Sequence, residues 1–199
     1  MNTINPPIKK RDSFPLFLFL QNFIFTICVL VAWLIMIVLG FFVVAIALPF
    51  SHKIGEKNEY GWQMERLPKW AWFWSNDYDG VQGQKNGKNY TSSALDSFWG
   101  RHNWTAIRNP ANNFSRYTIG VDFNAVELIE WIGTNPNIDD GIVGWSYLRF
   151  HVKGKRYAYP KLAYNNGKRV FWIGWKGKSF RYADRPWAGF TAMTFKVKK

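Results

Sequence analysis

Three histidines (His52, His102 and His151) and one cysteine (Cys28) are the residues of this chain best suited to nucleophilic or proton-transfer chemistry. None is paired by spacing with a serine, a second cysteine or a carboxylate, and no G-x-S-x-G, H-E-x-x-H, P-loop or G-x-G-x-x-G pattern occurs. Cys28 lies in an apolar run, so the remainder has no disulfide, thiol nucleophile or Cys-based metal site to draw on. Asp77-Tyr78-Asp79-Gly80 opens like a calcium loop. Such a loop needs a third oxygen ligand before its glycine and a Glu near its end, where Lys88 stands instead. An ordinary Asx-turn loop accounts for it better. Asp139-Asp140 falls in a polar loop, where solvation is explanation enough. The inventory therefore leads to no catalytic residue, no metal and no cofactor, and to a binding protein before an enzyme. A hydrolase acting on an envelope polymer remains as a third class, conditional on Asp77, Asp79 and His102 converging on a pocket.

Charge is a second kind of chemistry, and it is unevenly spread. Residues 1–144 carry 12 Lys/Arg and 12 Asp/Glu, whereas 145–199 carry 14 Lys/Arg against Asp184 alone. The whole net charge of +13 belongs to that end of the chain. A basic surface attracts anionic lipid, nucleic acid or an acidic envelope protein; otherwise it is only a solvated face. Lys153, Lys155, Arg156, Lys168, Arg169, Lys176, Lys178 and Arg181 are the candidate lipid- or polyanion-binding residues. The N-x-S/T sequons at Asn89, Asn103 and Asn113 would matter only in a eukaryotic secretory pathway.

The element that positions all of this is the run from Phe14 to Phe50, 37 residues without a charge. About 20 apolar helical residues cross a bilayer, so the run reads as a transmembrane anchor over 14–50, preceded by a polar basic segment (1–13) with Lys9-Lys10-Arg11. Ala45-Ile46-Ala47 fits a signal-peptidase site, but the apolar core is far longer than the roughly 7–15 residues of a signal sequence. A hairpin of two short helices turning near Trp33 is the alternative, although no turn signal lies between Ala32 and Leu39. Basic residues flank both ends, with Lys53, Lys57, Arg66 and Lys69 following the run. A hairpin would keep both flanks in the cytoplasm and a single span would separate them; the basic tail favours a cytoplasmic domain.

Residues 51–66 read as a connector and 67–199 as one Trp-rich α+β domain with its basic β-rich end over 145–199. Trp70, Trp72 and Trp74 form either an interfacial foot on the headgroups, or ordinary core, or an alternating strand. Ser93–Arg108 has the i, i+3, i+4, i+7 pattern of a helix in Leu95, Phe98, Trp99 and His102, stopped by Asn109-Pro110. Asn124–Ile132 is expected as a second short helix, with Asn124 and Glu127 as a capping box and Gly133 as terminator, a strand being the weaker option. From Gly144 the period becomes two, and Asn166-Gly167 between Leu162–Tyr164 and Arg169–Trp172 marks a hairpin. The end of the chain is thus an antiparallel meander of four or five strands.

Leu67-Pro68-Lys69-Trp70, Trp74, Asp77, Asp79-Gly80, Trp99, Arg101, Trp104, Arg108-Asn109-Pro110-Ala111-Asn112-Asn113-Phe114 and Ile173-Gly174-Trp175-Lys176 follow one another in a recognisable order. In that order the chain resembles a family of small, uncharacterised membrane-anchored proteins of tailed bacteriophages. The resemblance covers most of the chain and is most specific at 108–111 and 174–176; the polar stretch at 122–141 and the extended basic end depart from it. It implies a phage accessory protein in the host inner membrane and carries no activity. Arg108-Asn109-Pro110 reads first as a rigid corner, with Arg108 at a helix end and Asn109 bonding the backbone. A membrane-tethered nucleic-acid binder is the alternative function.

Overall fold

A computed structural model describes residues 6–57, 63–77, 79–81, 84–85, 88–89, 97–136, 142–175, 187–192 and 196–197. Its longest element is α1, Leu16–Ala47, a helix of 32 residues. Nothing inside it breaks the ladder: there is no proline, and Gln21-Asn22 are accommodated in helical backbone. Pro15 stands just before the first turn and its carbonyl accepts from the Phe19 amide at 3.1 Å. The end comes at Leu48-Pro49-Phe50, one tight 3₁₀ turn, because Pro49 has no amide to continue the bonding. The helix passes straight through Ala32–Leu39, which removes the two-helix hairpin.

The chain falls into two compact units, Met1–Leu30 with Ile119–Lys199, and Val31–Thr118. In the first, β1 (Ile8–Lys10), β7 (Val126–Gly133), β8 (Gly144–Val152), β9 (Ala158–Asn165), β10 (Arg169–Trp175), β12 (Phe190–Ala192) and β13 (Lys196–Val197) make a sheet in the order β1-β7-β8-β9-β10-β12, with β13 also paired to β10. Every pairing is antiparallel except β1 on β7, where Ile8 lies opposite Ile129 and Lys10 opposite Trp131. β6 (Val121–Asp122) and β11 (Trp187–Ala188) form a separate short pair. The meander expected from Gly144 is present in β8, β9 and β10. Its second hairpin is closed by Gly167 and Lys168 between Asn166 and Arg169, with the Asn166 amide donating to the Arg169 carbonyl. Gly167 takes φ +87°, a conformation open chiefly to glycine. Trp175, Phe150, Phe190, Ile129 and Leu148 are the largest fully buried apolar side chains of this unit.

The second helix expected at Asn124–Ile132 is absent, and β7 takes its place. The capping signal is spent earlier: the Asp122 carboxylate accepts from the Asn124 amide in a single 3₁₀ turn at Phe123–Ala125. Beyond it Val126, Ile129, Trp131 and Ile132 suit a strand with partners on both sides, β1 and β8. Pairing and burial outweighed a local helical preference worth tenths of a kcal/mol per residue.

In the second unit, residues 31–50 pack with β2 (His52–Ile54), β3 (Met64–Arg66) and the turns that follow; β4 (Gln84–Lys85) and β5 (Lys88–Asn89) form a further two-residue pair. Its core is Val44, Ala47, Leu48, Leu67, Ala71, Val81 and Ala106, with Val43, Trp74 and Phe98 against it. Lys69–Trp74 is two 3₁₀ turns joined at Ala71, so the alternating-strand reading of Trp70, Trp72 and Trp74 is wrong. Helix α2 begins at Phe98 with Ser97 as its cap, the Ser97 hydroxyl accepting from the Gly100 amide at 3.0 Å. It widens into π-type turns over Asn103–Arg108; the earlier part of the expected helix, 93–96, lies outside the described residues. The corner at Asn109-Pro110 is a cap: both the backbone and side-chain amides of Asn109 donate to the Trp104 carbonyl, and Arg108 lies over the Trp104 ring at 5.0 Å.

Candidate functional site

Within each unit helix α1 is covered on one side and bare on the other. Asn22, Val29, Trp33, Gly40, Val44 and Ala47, spaced by three, four or seven residues, are buried. On the other side, fifteen of its 32 residues are exposed large apolar side chains, among them Leu20, Phe23, Ile27, Leu34, Val38 and Phe42. At 1.5 Å per residue the whole helix is roughly 48 Å long. Soluble proteins rarely leave so large a continuous apolar patch in water.

Each unit grips its own part of the helix. In the first, the Phe25 ring stacks on Trp175 with centroids 5.4 Å apart and planes 1° from parallel, and meets Tyr157 and Tyr159. Phe14 and Phe19 meet Tyr147. The buried Asn22 side chain accepts from the Ala158 amide at 3.2 Å. Burial pushes the Tyr147 phenol up to about 12, only partly offset by the Arg149 charge and a hydrogen bond with Asn22. In the second unit, Trp74 Nε1 donates to the Met36 carbonyl at 2.7 Å and the His102 ring nitrogen Nε2 lies 2.8 Å from the Phe41 carbonyl. Gly40 makes room for the indole, since a Cβ there would stand 2.6 Å from Trp74 Cδ1.

Three carboxylates, Glu130, Glu65 and Asp77, are bound into ion pairs. Glu130 on β7, 2% exposed, receives Arg149 Nη2 at 2.5 Å, Arg11 Nε at 2.6 Å and His151 Nε2 at 2.8 Å. An ionised carboxylate only accepts, so His151 carries a proton on Nε2 in this arrangement. Burial raises the Glu130 pKa more than any other single influence. The hydrogen bonds from Arg149, Arg11 and His151 together with the Arg149 charge reverse it and bring the group down to about 2. Phe14 lies over the Arg149 guanidinium at 3.9 Å. In the other unit Glu65 is held by Ser51 and by Arg101 at 2.9 Å. Asp77 pairs with Arg66 Nε at 2.7 Å and accepts from Trp72 Nε1 at 3.0 Å. Asp79 is tied to Asn76 in a local turn. Half-buried Arg116 is lowered by burial, while Tyr117, Asp79 and Asp77 hold it up. Arg66 thus takes the Asp77 carboxylate that a calcium loop would offer its ion. Among the described residues no three His, Cys, Asp or Glu side chains group to hold a metal. Asp77, Asp79 and His102 each serve a different structural partner.

The basic candidates are dispersed. Lys153, Lys155 and Arg156 are exposed at the β8–β9 turn, and Lys168 and Arg169 at the β9–β10 turn. Those turns are at opposite ends of the eight-residue β9, roughly 26 Å apart at 3.3 Å per residue. Lys176, Lys178 and Arg181 lie outside the described residues, as does Asp139-Asp140. Two basic residues of the same segment, Arg149 and Lys161, are buried. Of the three tryptophans, Trp70 is exposed, Trp72 stacks on Tyr117 and Trp74 is clamped on α1. Sequence reasoning missed Glu130, Arg149 and Asn22. Their only trace was a lone acid flanked by Ile129 and Trp131, and a polar pair inside an apolar run.

A family model described as a family of unknown function (DUF7338) matches residues 17–199. No curated protein and no solved structure matches the chain.

Proposed function

The chain belongs to that family of unknown function, and we propose that it is a membrane-anchored accessory protein that acts by binding, not by catalysis. The observation that carries the proposal is the bare face of α1, without a charge from end to end and long enough to cross a membrane. Burying a large apolar side chain completely is worth about 1.5–3 kcal/mol, so fifteen half-exposed ones total on the order of 10 kcal/mol or more. Lipid acyl chains supply that burial. The carboxylates support the non-catalytic half of the reading, because Glu65, Asp77 and Glu130 are each neutralised by an arginine instead of being poised at a free acid or base position. On the resemblance to phage proteins the bilayer would be the host inner membrane; the basic turns favour a domain on its cytoplasmic side, where they would meet anionic headgroups or an acidic partner.

Fractionation of cells expressing the full chain tests the anchor. The protein is expected in the membrane pellet and to resist carbonate extraction; recovery in the soluble fraction at intact mass overturns it. Flotation with vesicles tests the basic surface. Anionic vesicles are expected to retain more protein than neutral ones, and the difference to shrink with salt, given a Debye length of about 8 Å at physiological ionic strength. Retention of duplex DNA in preference to anionic vesicles would replace the lipid reading with the nucleic-acid one.

A further inference from the structure

We infer that one face of the first unit's sheet, centred on Trp145, Leu162 and Tyr164, is a docking surface for the headgroup region of an anionic bilayer. The inference rests on the membrane reading above, adds part of the sheet to what the membrane covers, and concerns the first unit alone. Register and the two-residue period of strands put two rows of side chains on this face. Trp145, Tyr164 and Phe171 lie opposite one another on β8, β9 and β10, and Tyr147, Leu162 and Ile173 make the next row. The intervening residues Ser146, Ala163 and Trp172 point the other way and are buried. Trp145, Leu162 and Tyr164, by contrast, are 41% to 46% exposed. The row after these begins at Arg149, where Phe14 lies over the guanidinium, so cover by the chain itself starts just beyond the exposed rows.

Continuity, ring chemistry and charge identify the occupant as lipid. Exposed Phe23 stacks on Phe19, Phe19 meets Tyr147, and Tyr147 stands opposite Leu162. Within this unit the bare side of α1 therefore runs into the sheet face without a break, and lipid that covers the one reaches the other. Trp and Tyr join an apolar ring to one polar group, a combination that favours the headgroup level over both water and hydrocarbon. Arg169, two residues before Phe171 and so on the same face of β10, is exposed beside exposed Lys168 at the end of the rows. None of these positions is acidic, and the pair of cations complements anionic headgroups. The backbone raises no obstacle. Strands β8 and β9 are each paired on both sides, so this face offers the interface side chains and not an open strand edge.

The test uses the full chain in vesicles containing anionic lipid. Exposed Cys28 is changed to Ser, and Leu162→Cys or, as a second site, Tyr164→Cys carries a polarity-sensitive fluorophore. The lipids carry a quencher near the headgroup. Emission at both sites is expected to shift to the blue and to be quenched, and less so in vesicles of neutral lipid. Lys168→Gln with Arg169→Gln is expected to lower the ratio of quenched to unquenched fluorophore by about fivefold for each charge removed. Unquenched emission at both sites, on a chain that still floats with the vesicles, overturns the docking surface and leaves the anchor intact. Quenching that changes neither with lipid charge nor with the two Gln substitutions overturns it as well. A blue shift that fades as the protein is diluted in lipid assigns the face to a second copy of the chain and overturns the lipid reading. Failure of the unlabelled native chain to float with the vesicles overturns both the docking surface and the anchor.

Discussion

The two parts of α1 are held by different chemistry. Residues 14–30 rest on aromatic rings and one buried amide side chain, with Phe25 on Trp175 and Asn22 on Ala158. Residues 31–48 are held by donors aimed at the helix's own carbonyls, over a seam opened by Gly40 and Ala47. The first grip removes ring area from water and is mostly non-directional. The second uses the spare lone pair of carbonyls already engaged in the helix, so it fixes position and rotation while adding modest energy. An uncharged helix can therefore be docked securely while its other side stays wholly apolar.

The comparison extends to the charged clusters. Glu130 is sealed and shared by two arginines and a histidine, whereas Glu65 and Asp77 sit nearer the surface with one arginine each. The largest expected effect is accordingly at Glu130. Glu130→Ala leaves Arg149, 4% exposed, without its counter-ion, and should cost about 3–5 kcal/mol. The measurement is the denaturation midpoint in detergent. A loss no greater than that of Glu65→Ala would erase the contrast between the two clusters.

Acid should reproduce part of that loss. The Glu130 pKa is lowered on folding from 4.5 to about 2, so its contribution is complete above about pH 4.5 and disappears as pH falls toward 2. The depression corresponds to about 3 kcal/mol at most. Arg11 is 45% exposed, and screening by water trims its share. The midpoint should drop across this window in the native chain and more shallowly in Glu130→Gln. Equal slopes in both would remove Glu130 as the source.

The seam in the second unit comes next. Gly40→Leu drives a side chain into the Trp74 indole and should cost about 1–3 kcal/mol by overpacking, with a change in tryptophan fluorescence. No change would mean that Trp74 does not rest there. Smallest is Trp74→Phe, which keeps a ring but deletes the donor to Met36. The carbonyl retains its helical bond, so a loss of about 0.5–1.5 kcal/mol is expected. A loss as large as that of Glu130→Ala would show that the carbonyl grip is structural in its own right.

Composition and periodicity alone determined the long helix, the meander after Gly144 and a hairpin near Asn166-Gly167, whose turn lies one residue later at Gly167-Lys168. In each case the signal is local: uncharged residues over 32 positions, alternation, and a glycine whose left-handed φ a two-residue turn requires. They also determined that the net charge gathers in the last 55 residues. Tertiary structure decided the rest. Val126–Gly133 became a strand because β1 and β8 flank it, and the Trp-rich segment became 3₁₀ turns so that Trp72 and Trp74 reach Asp77 and Met36. Arg149 and Lys161 went inside while Lys153 and Lys168 stayed out, a division no net charge reveals. Above all, which side of α1 would be covered was undetermined in a run apolar all round. Hydrophobicity is non-directional, and only the side chains that meet Asn22 in one unit and Gly40 in the other decide which part of it is covered.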